Sequence, residues 1–174
     1  MIETERLILR PFRDADRAPF AAINGDPRVG DWLGGGITRA QSDALVDRLN
    51  AQIAADGFGF YAAERKADGA LVGMIGIRRN PGPPAPVGIE LGWRLDPAAQ
   101  GSGLATEGAK ACLDWGFANL DVDEILSWTA SANVRSQAVM RRIGMVPDPA
   151  RDFDHTALPE GHPLRRHVVF AARR

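Results

Sequence analysis

Apolar and polar positions follow two rhythms along the chain, and each change of rhythm marks an element. The opening ERLILRPF sets Leu7, Ile8 and Leu9 among charges and then meets Pro11, which predicts an edge strand from Glu3 to Arg13. Asp14 and Asp16 suit a helix start, so a first helix is expected to run to Asn24 and close at Gly25-Asp26-Pro27. The segment VGDWLGGGIT follows, and its run of glycines excludes regular structure. Thr38 is then placed as the cap of a second helix, in which Ala44, Leu45, Leu49, Ile53 and Ala54 recur at helical spacing before Gly57 ends it.

From Phe58 the period shortens. FYAAERK, a turn at Asp68-Gly69, and ALVGMIGIRR predict an antiparallel hairpin, followed by the stiff loop PGPPAP. Val87 to Leu95 is expected as a strand, then a Gly-rich turn, then a helix from Leu104 to Asn119. Ala105, Ala109, Cys112, Leu113, Gly116, Phe117 and Leu120 form that helix's apolar stripe. Glu124 to Ala130 is a further strand, Asn133 caps a helix ended by Gly144, and RRHVVFAA is a last strand. Hairpins early and strand-helix alternation late predict an α+β (mixed α/β) fold, with residues 1–174 as a single domain.

Composition narrows the class. Of 174 residues, 45% are hydrophobic and 25% charged, enough apolar material for a core, and a net charge of −1 with mixed signs offers no field for nucleic acid or an anionic membrane. The lone Cys112 cannot bridge within the chain, and MIETERLILRPF carries acids where a secretory leader would be basic. No apolar run approaches the roughly 20 residues of a bilayer span. A soluble, cytoplasmic protein with no nucleic acid and no membrane partner is expected.

The chemistry concentrates in DPAAQGSGLATEG, between a strand and a helix. A helix start presents unpaired N–H groups and a positive dipole end, and glycines let an anion approach that backbone. The segment lacks the GK[ST] of a Walker loop and the three spaced glycines of a dinucleotide fingerprint. On these residues alone it is equally a tight connection in which Gly101 and Gly103 satisfy backbone geometry. On the preceding strand, alternation puts Ile89, Leu91, Trp93 and Leu95 on one face and Gly88, Glu90, Gly92 and Arg94 on the other. Glu90, between two glycines, has open space suited to an amine or a water; a half-exposed Glu in a gap between strands fits as well. Asn133 suits a cap, and Ser136 lies one turn on.

Gln100, Gly103 and Ala105 fit the pattern Q/R-x-x-G-x-G/A. With TERLILRPFRDAD, IELGWRL, LATEGAKACLDWGF and NVRSQAVMRRIGM, they make most of the chain resemble the GNAT superfamily, in the branch of ribosomal-protein N-acetyltransferases. The resemblance implies a mostly antiparallel, twisted sheet of about seven strands flanked by about four helices. It implies acetyl-CoA as co-substrate, with Gln100, Gly101, Ser102, Gly103, Leu104, Ala105 and Thr106 around the pyrophosphate. Leu91 and Trp93 would lie on a strand, bulged in relatives, whose N–H groups face the thioester carbonyl. Asn133 would contact the pantetheine arm, and Ser136 would lie near the sulfur as a catalytic proton donor. Glu90 would be the catalytic base beside the acceptor, and the loop carrying Trp32 would border the acceptor site. Relatives that use a late-helix Tyr have no counterpart here: the chain's single tyrosine is Tyr61, and the last strand carries Phe170. The donor to the leaving thiolate is thereby left open.

His155, His162 and His167 fit no zinc spacing, so no metal is expected. DFDH and PEGHPLRRH resemble the segment before the last strand in that branch, with a His at the acceptor pocket as a minor reading. Trp93, Trp115 and Trp128 are expected in the core, as is Cys112, which argues against an acetyl-cysteine route. The expected mechanism is direct attack within a ternary complex, with backbone N–H groups facing the developing oxyanion. Deprotonating an α-amine of pKa about 8 at pH 7 costs about 1 kcal/mol, against about 4.6 for a lysine near 10.4. That favours a protein N-terminus. A small-molecule amine (antibiotic, polyamine or amino acid) and a catalytically silent acyl-CoA-binding domain are the alternatives, and a homodimer is compatible with all three.

Overall fold

In the computed structural model, which describes Met1–Arg174, the opening run folds back on itself instead of forming one strand from Glu3 to Arg13. It makes a hairpin of β1 (Ile2–Glu3) and β2 (Leu7–Arg10). The cause lies in the polar residues between them. Thr4 Oγ1 accepts from Leu7 N–H at 2.9 Å and donates to Glu107 at 2.5 Å, and Arg6 N–H donates to the same carboxylate at 2.8 Å. Partners more than a hundred residues away thus set the turn.

A 3₁₀ turn over Asp14–Asp16 leads into α1 (Arg17–Gly25), so the helix begins later than its acids suggest. Asp26 then caps a single-turn helix, α2 (Pro27–Gly30), where only a turn was expected: its side chain accepts from Arg28 N–H, and Pro27 takes the first helical position. Thr38 caps α3 (Arg39–Asp56) in a capping box with Gln41, and Gly57 closes it at φ +79°. The buried side of α3 is Ser42, Val46 and Leu49, with Leu45 and Ile53 at its margins, rather than the stripe through Ala44 and Ala54.

The hairpin at Asp68-Gly69 joins β3 (Phe60–Arg65) to β4 (Leu71–Asn80). After it come β5 (Gly88–Leu95), α4 (Leu104–Asn119), β6 (Glu124–Ala130) and α5 (Val134–Arg142). The short β7 (Val146–Pro147) and β8 (Phe153–Asp154) both pair with β9 (Arg166–Arg173). These two-residue pairings and the split first strand bring the sheet to nine strands, in the order β1-β2-β3-β4-β5-β6-β9-β7 with β8 on β9. Every pairing is antiparallel except β5 with β6.

The sheet has a core on each face. Under α4 and α5 lie Leu7, Leu9, Ile75, Ile77, Leu91 and Ile125, with Met140 of α5 packed into the same core. The opposite face packs Phe60, Ala62 and Met74 against Phe20 of α1 and Val46 and Leu49 of α3. A buried ion pair links α1's entry to this layer. Arg10 donates to both oxygens of Asp16 at 2.6 and 3.0 Å and meets Glu64 at 2.6 Å. Burial works to raise the Asp16 pKa, but the bonds from Arg10 and the Arg13 N–H outweigh it and hold the carboxyl below its ordinary value. Its contribution to stability is therefore present above the unfolded carboxyl's range and lost as pH falls through the depressed folded value. Asp16→Ala leaves Arg10 buried with half its partners and should cost on the order of 3 kcal/mol, read as a lower urea midpoint at pH 7 with the deficit shrinking toward pH 3.

Candidate functional site

The single parallel pairing opens the site. On one edge β5 is bonded to β4 along its whole length, from Gly73↔Leu95 to Asn80↔Gly88, so the bulge implied by the resemblance is absent and the alternation runs unbroken. On its other edge it pairs with β6 only at Glu90↔Leu126. β5 continues to Leu95 and β6 to Ala130 with no strand between them, so their facing main-chain groups border a gap. Such groups need partners, and an extended ligand can supply them. Leu91 is buried toward α4, and Trp93 packs partly buried against the same core.

The turn at the end of β5 is braced from within. Asp96 accepts from Ala98 N–H, Gln100 Nε2 donates to the Leu95 carbonyl at 3.1 Å, and Ser102 Oγ donates to the Ala99 carbonyl at 2.7 Å. Gln100 and Ser102 thus hold the turn's shape. Gly101 and Gly103 have φ of +79° and +86°, a region that side chains make costly. Gly103 is the N-cap of α4, with no side-chain cap. From Gly101 to Thr106 no main-chain N–H donates to any acceptor in the protein, which leaves a row of free donors at the positive end of α4. A Cβ added at Gly101 would meet nothing within 4 Å, so the row is open to approach.

Arg6 belongs to this turn, although its position in the sequence gives no sign of it. Its Nη1 donates to the Ser102 carbonyl at 2.9 Å and its Nε to Glu107 at 2.6 Å, which holds a guanidinium at the rim of the N–H row. On α5, the Asn133 side-chain oxygen accepts from Ser136 N–H at 3.1 Å, as a cap does. The Asn133 amide NH2 and the Ser136 hydroxyl make no bond within the protein.

Glu90 is not in open space. Arg78, its cross-strand neighbour on β4, donates to it at 2.7 Å, and the Phe60 ring fills the room left by Gly92, where a Cβ would come within 2.9 Å of it. The same guanidinium lies over Phe60, 5.1 Å from the ring centre. Burial raises the Glu90 pKa, against the pull of Arg78. Farther along the same face, Arg94 Nη1 donates to Asn24 at 2.5 Å, Asn24 donates to Ser42 at 2.8 Å, and Arg94 Nε is buried without a partner. Burial holds Arg94 down to about 10. Trp32 is 41% exposed on the loop after α2, whose Gly34 lies against Leu158 of the loop between β8 and β9. Tyr61 and Cys112, the latter on the buried side of α4, share the core, and burial pushes the thiol up to about 12, which leaves no thiolate for acyl transfer.

Trp128 packs partly buried against a core cluster and also presents a face outward. It borders the small cluster of Leu126, Val169 and Ala171 and forms the wall of a cleft on the Glu90 face. Phe153 meets it edge-on at 6.3 Å, and His167 stacks on Phe153 at 5.1 Å with His155 5.5 Å beyond.

A strand-turn-helix unit with free N–H donors beside an opened parallel pair is suited to an extended ligand that carries an anionic group. The acetyltransferase (GNAT) domain matches residues 6–146, and the chain belongs to this family. It is an acetyl-CoA-dependent N-acetyltransferase. It is 28% identical to an uncharacterized N-acetyltransferase of Bacillus subtilis, YnaD, over 92% of this chain and 89% of that one. An acetyltransferase structure from Agrobacterium tumefaciens superposes with a TM-score of 0.80 at 29% identity, covering 99% of this chain and 94% of the other. The spermidine N-acetyltransferase of Vibrio cholerae, solved with CoA and spermine, shares the fold at 17% identity with a TM-score of 0.72, over 96% and 95%. No helix is long and apolar enough to cross a membrane.

Proposed function

We propose that this enzyme acetylates a primary amine by direct attack, with donor and acceptor meeting in the gap between β5 and β6. The observation that carries this reading is the row of free N–H groups from Gly101 to Thr106, set where β5 ends and that gap opens. The row, with Arg6 beside it, suits a pyrophosphate, since its donors are preorganised and its glycines keep the approach clear. Acetyl-CoA, when bound, supplies an activated acetyl thioester. The main-chain edge of β5 beyond its single pairing with β6, from the Leu91 carbonyl through Trp93, receives an extended arm as a strand would, and the Trp93 N–H is placed to take up negative charge on a carbonyl. The unbonded Asn133 amide and Ser136 hydroxyl at the start of α5 suit contacts to that arm and a proton donated to its sulfur.

Glu90 takes the proton from the acceptor ammonium, directly or through a water. Its raised pKa makes it a better base than an ordinary carboxylate, and Arg78 fixes its orientation. A single carboxylate base suits a weakly basic α-amine, such as a protein N-terminus, better than a lysine. The loop of Trp32 would border the acceptor.

Purified protein, acetyl-CoA and an amine panel, read by thiol release and product mass, test this. CoA should be released in proportion to acetylated amine. Acetyl-CoA binding with no transfer to any amine would instead define a silent acyl-CoA-binding domain.

A further inference from the structure

Apart from Arg78, the cleft walled by Trp128 is built from groups the proposed chemistry does not use. One side is aromatic, with Trp128, Phe153 and His155, and the other is the proline loop. That loop is fixed from below by the buried Asn80, whose amide donates to the Pro86 carbonyl at 2.7 Å. The cleft touches the reaction centre through one residue, since Arg78 lines it and also holds Glu90 at 2.7 Å. Its volume of about 310 Å³ lies at the low end for ligand sites, room for one ring-sized group rather than a long chain.

Its charge is equally specific. The lining contains no carboxylate, and its one fixed cation, Arg78, is already paired with Glu90. Behind the wall His167 is driven toward its neutral form, by burial first and by the neighbouring His155. A site for a chain of ammonium groups needs acids to offset their desolvation, whereas aromatic and proline faces favour a flat apolar group.

We infer that the acceptor is a primary amine bearing an aromatic or large apolar group, which the Trp128–Phe153–proline cleft receives while the amine reaches Glu90. This rests on the reading that the amine approaches on the Glu90 face. The chemistry is shared by free arylalkylamines and by peptides with an aromatic first residue. Polyamines are disfavoured.

The test uses the full chain with acetyl-CoA, comparing phenethylamine, a pentapeptide beginning with Phe, methylamine and spermidine. At least one aromatic acceptor should exceed spermidine about 10-fold or more in kcat/KM, and the better of the two identifies the source. Calorimetry on the CoA-loaded protein should show the same order of binding, independent of turnover. Trp128→Ala should raise KM for the aromatic acceptor about 10-fold and leave acetyl-CoA affinity and methylamine turnover as in wild type. Should that variant fail to fold, Pro81→Glu, an exposed change at the cleft's lip, should shift preference toward spermidine. Equal use and equal binding of spermidine and the aromatic acceptors, or a folded Trp128→Ala with unchanged KM, would overturn the inference and leave the proposed function standing. Failure of acetyl-CoA to bind at all would overturn the proposed function itself.

Discussion

Glu90→Gln should lower kcat by 10²- to 10⁴-fold near neutral pH while acetyl-CoA affinity stays at the wild-type value. The amide keeps an oxygen for the Arg78 hydrogen bond, and Arg78 is partly exposed and can be hydrated, so the loss would be that of a base and not of a fold. The pH dependence separates the two. Glu90 works as a base only when ionised, and burial has moved its pKa up, so wild-type activity falls as pH drops through a value above the ordinary glutamate range. The ratio of wild type to variant should be largest between that value and the amine's own pKa, where Glu90 is ionised and the amine still protonated, and should shrink on either side. A ratio constant across pH would remove Glu90 as base. A loss confined to KM would make it a binding group.

Gly103→Val should weaken acetyl-CoA binding about 100-fold, close to 2.7 kcal/mol, with little effect on acceptor selectivity. At φ +86° a branched side chain is strained, and relaxing that strain rotates the N–H row out of line. Strain alone would lower stability without touching the ligand, so Gly57→Val is the control. Gly57 sits at φ +79° in open space at the C-cap of α3 and should show a comparable drop in stability with no change in acetyl-CoA affinity. Equal affinities for the Gly103 and Gly57 variants would dismiss the turn as the anion cradle.

Both positions were legible in the sequence, but to different depths. Gly101 and Gly103 follow a strand and open a helix, and nearest-neighbour geometry already demands glycine there. What the turn does depends on its donors being free, which follows only once no loop folds back to accept from them. Glu90 was readable as a residue on the face opposite Leu91. Its surroundings were not, because Arg78 reaches it only through the β4–β5 register and Phe60 occupies the Gly92 space from β3. The same holds for Arg6, whose partners Ser102 and Glu107 are brought to it by α4 packing against β1 and β2. Trp128 was expected in the core because large apolar side chains usually are; the β8 pairing to β9 that sets Phe153 beside it rests on two residues with no periodic pattern.

By itself, then, the sequence determined the order of elements, the capped and glycine-ended helices, the alternating faces of β5 and the glycine turn before α4. These depend on torsions and contacts within about four residues. Tertiary structure decided the split of the first strand, the gap between β5 and β6, the Arg78–Glu90 pair and the aromatic cleft. Each of those is a meeting of side chains or edges far apart along the chain, governed by sheet register and layer packing, which local pattern does not encode.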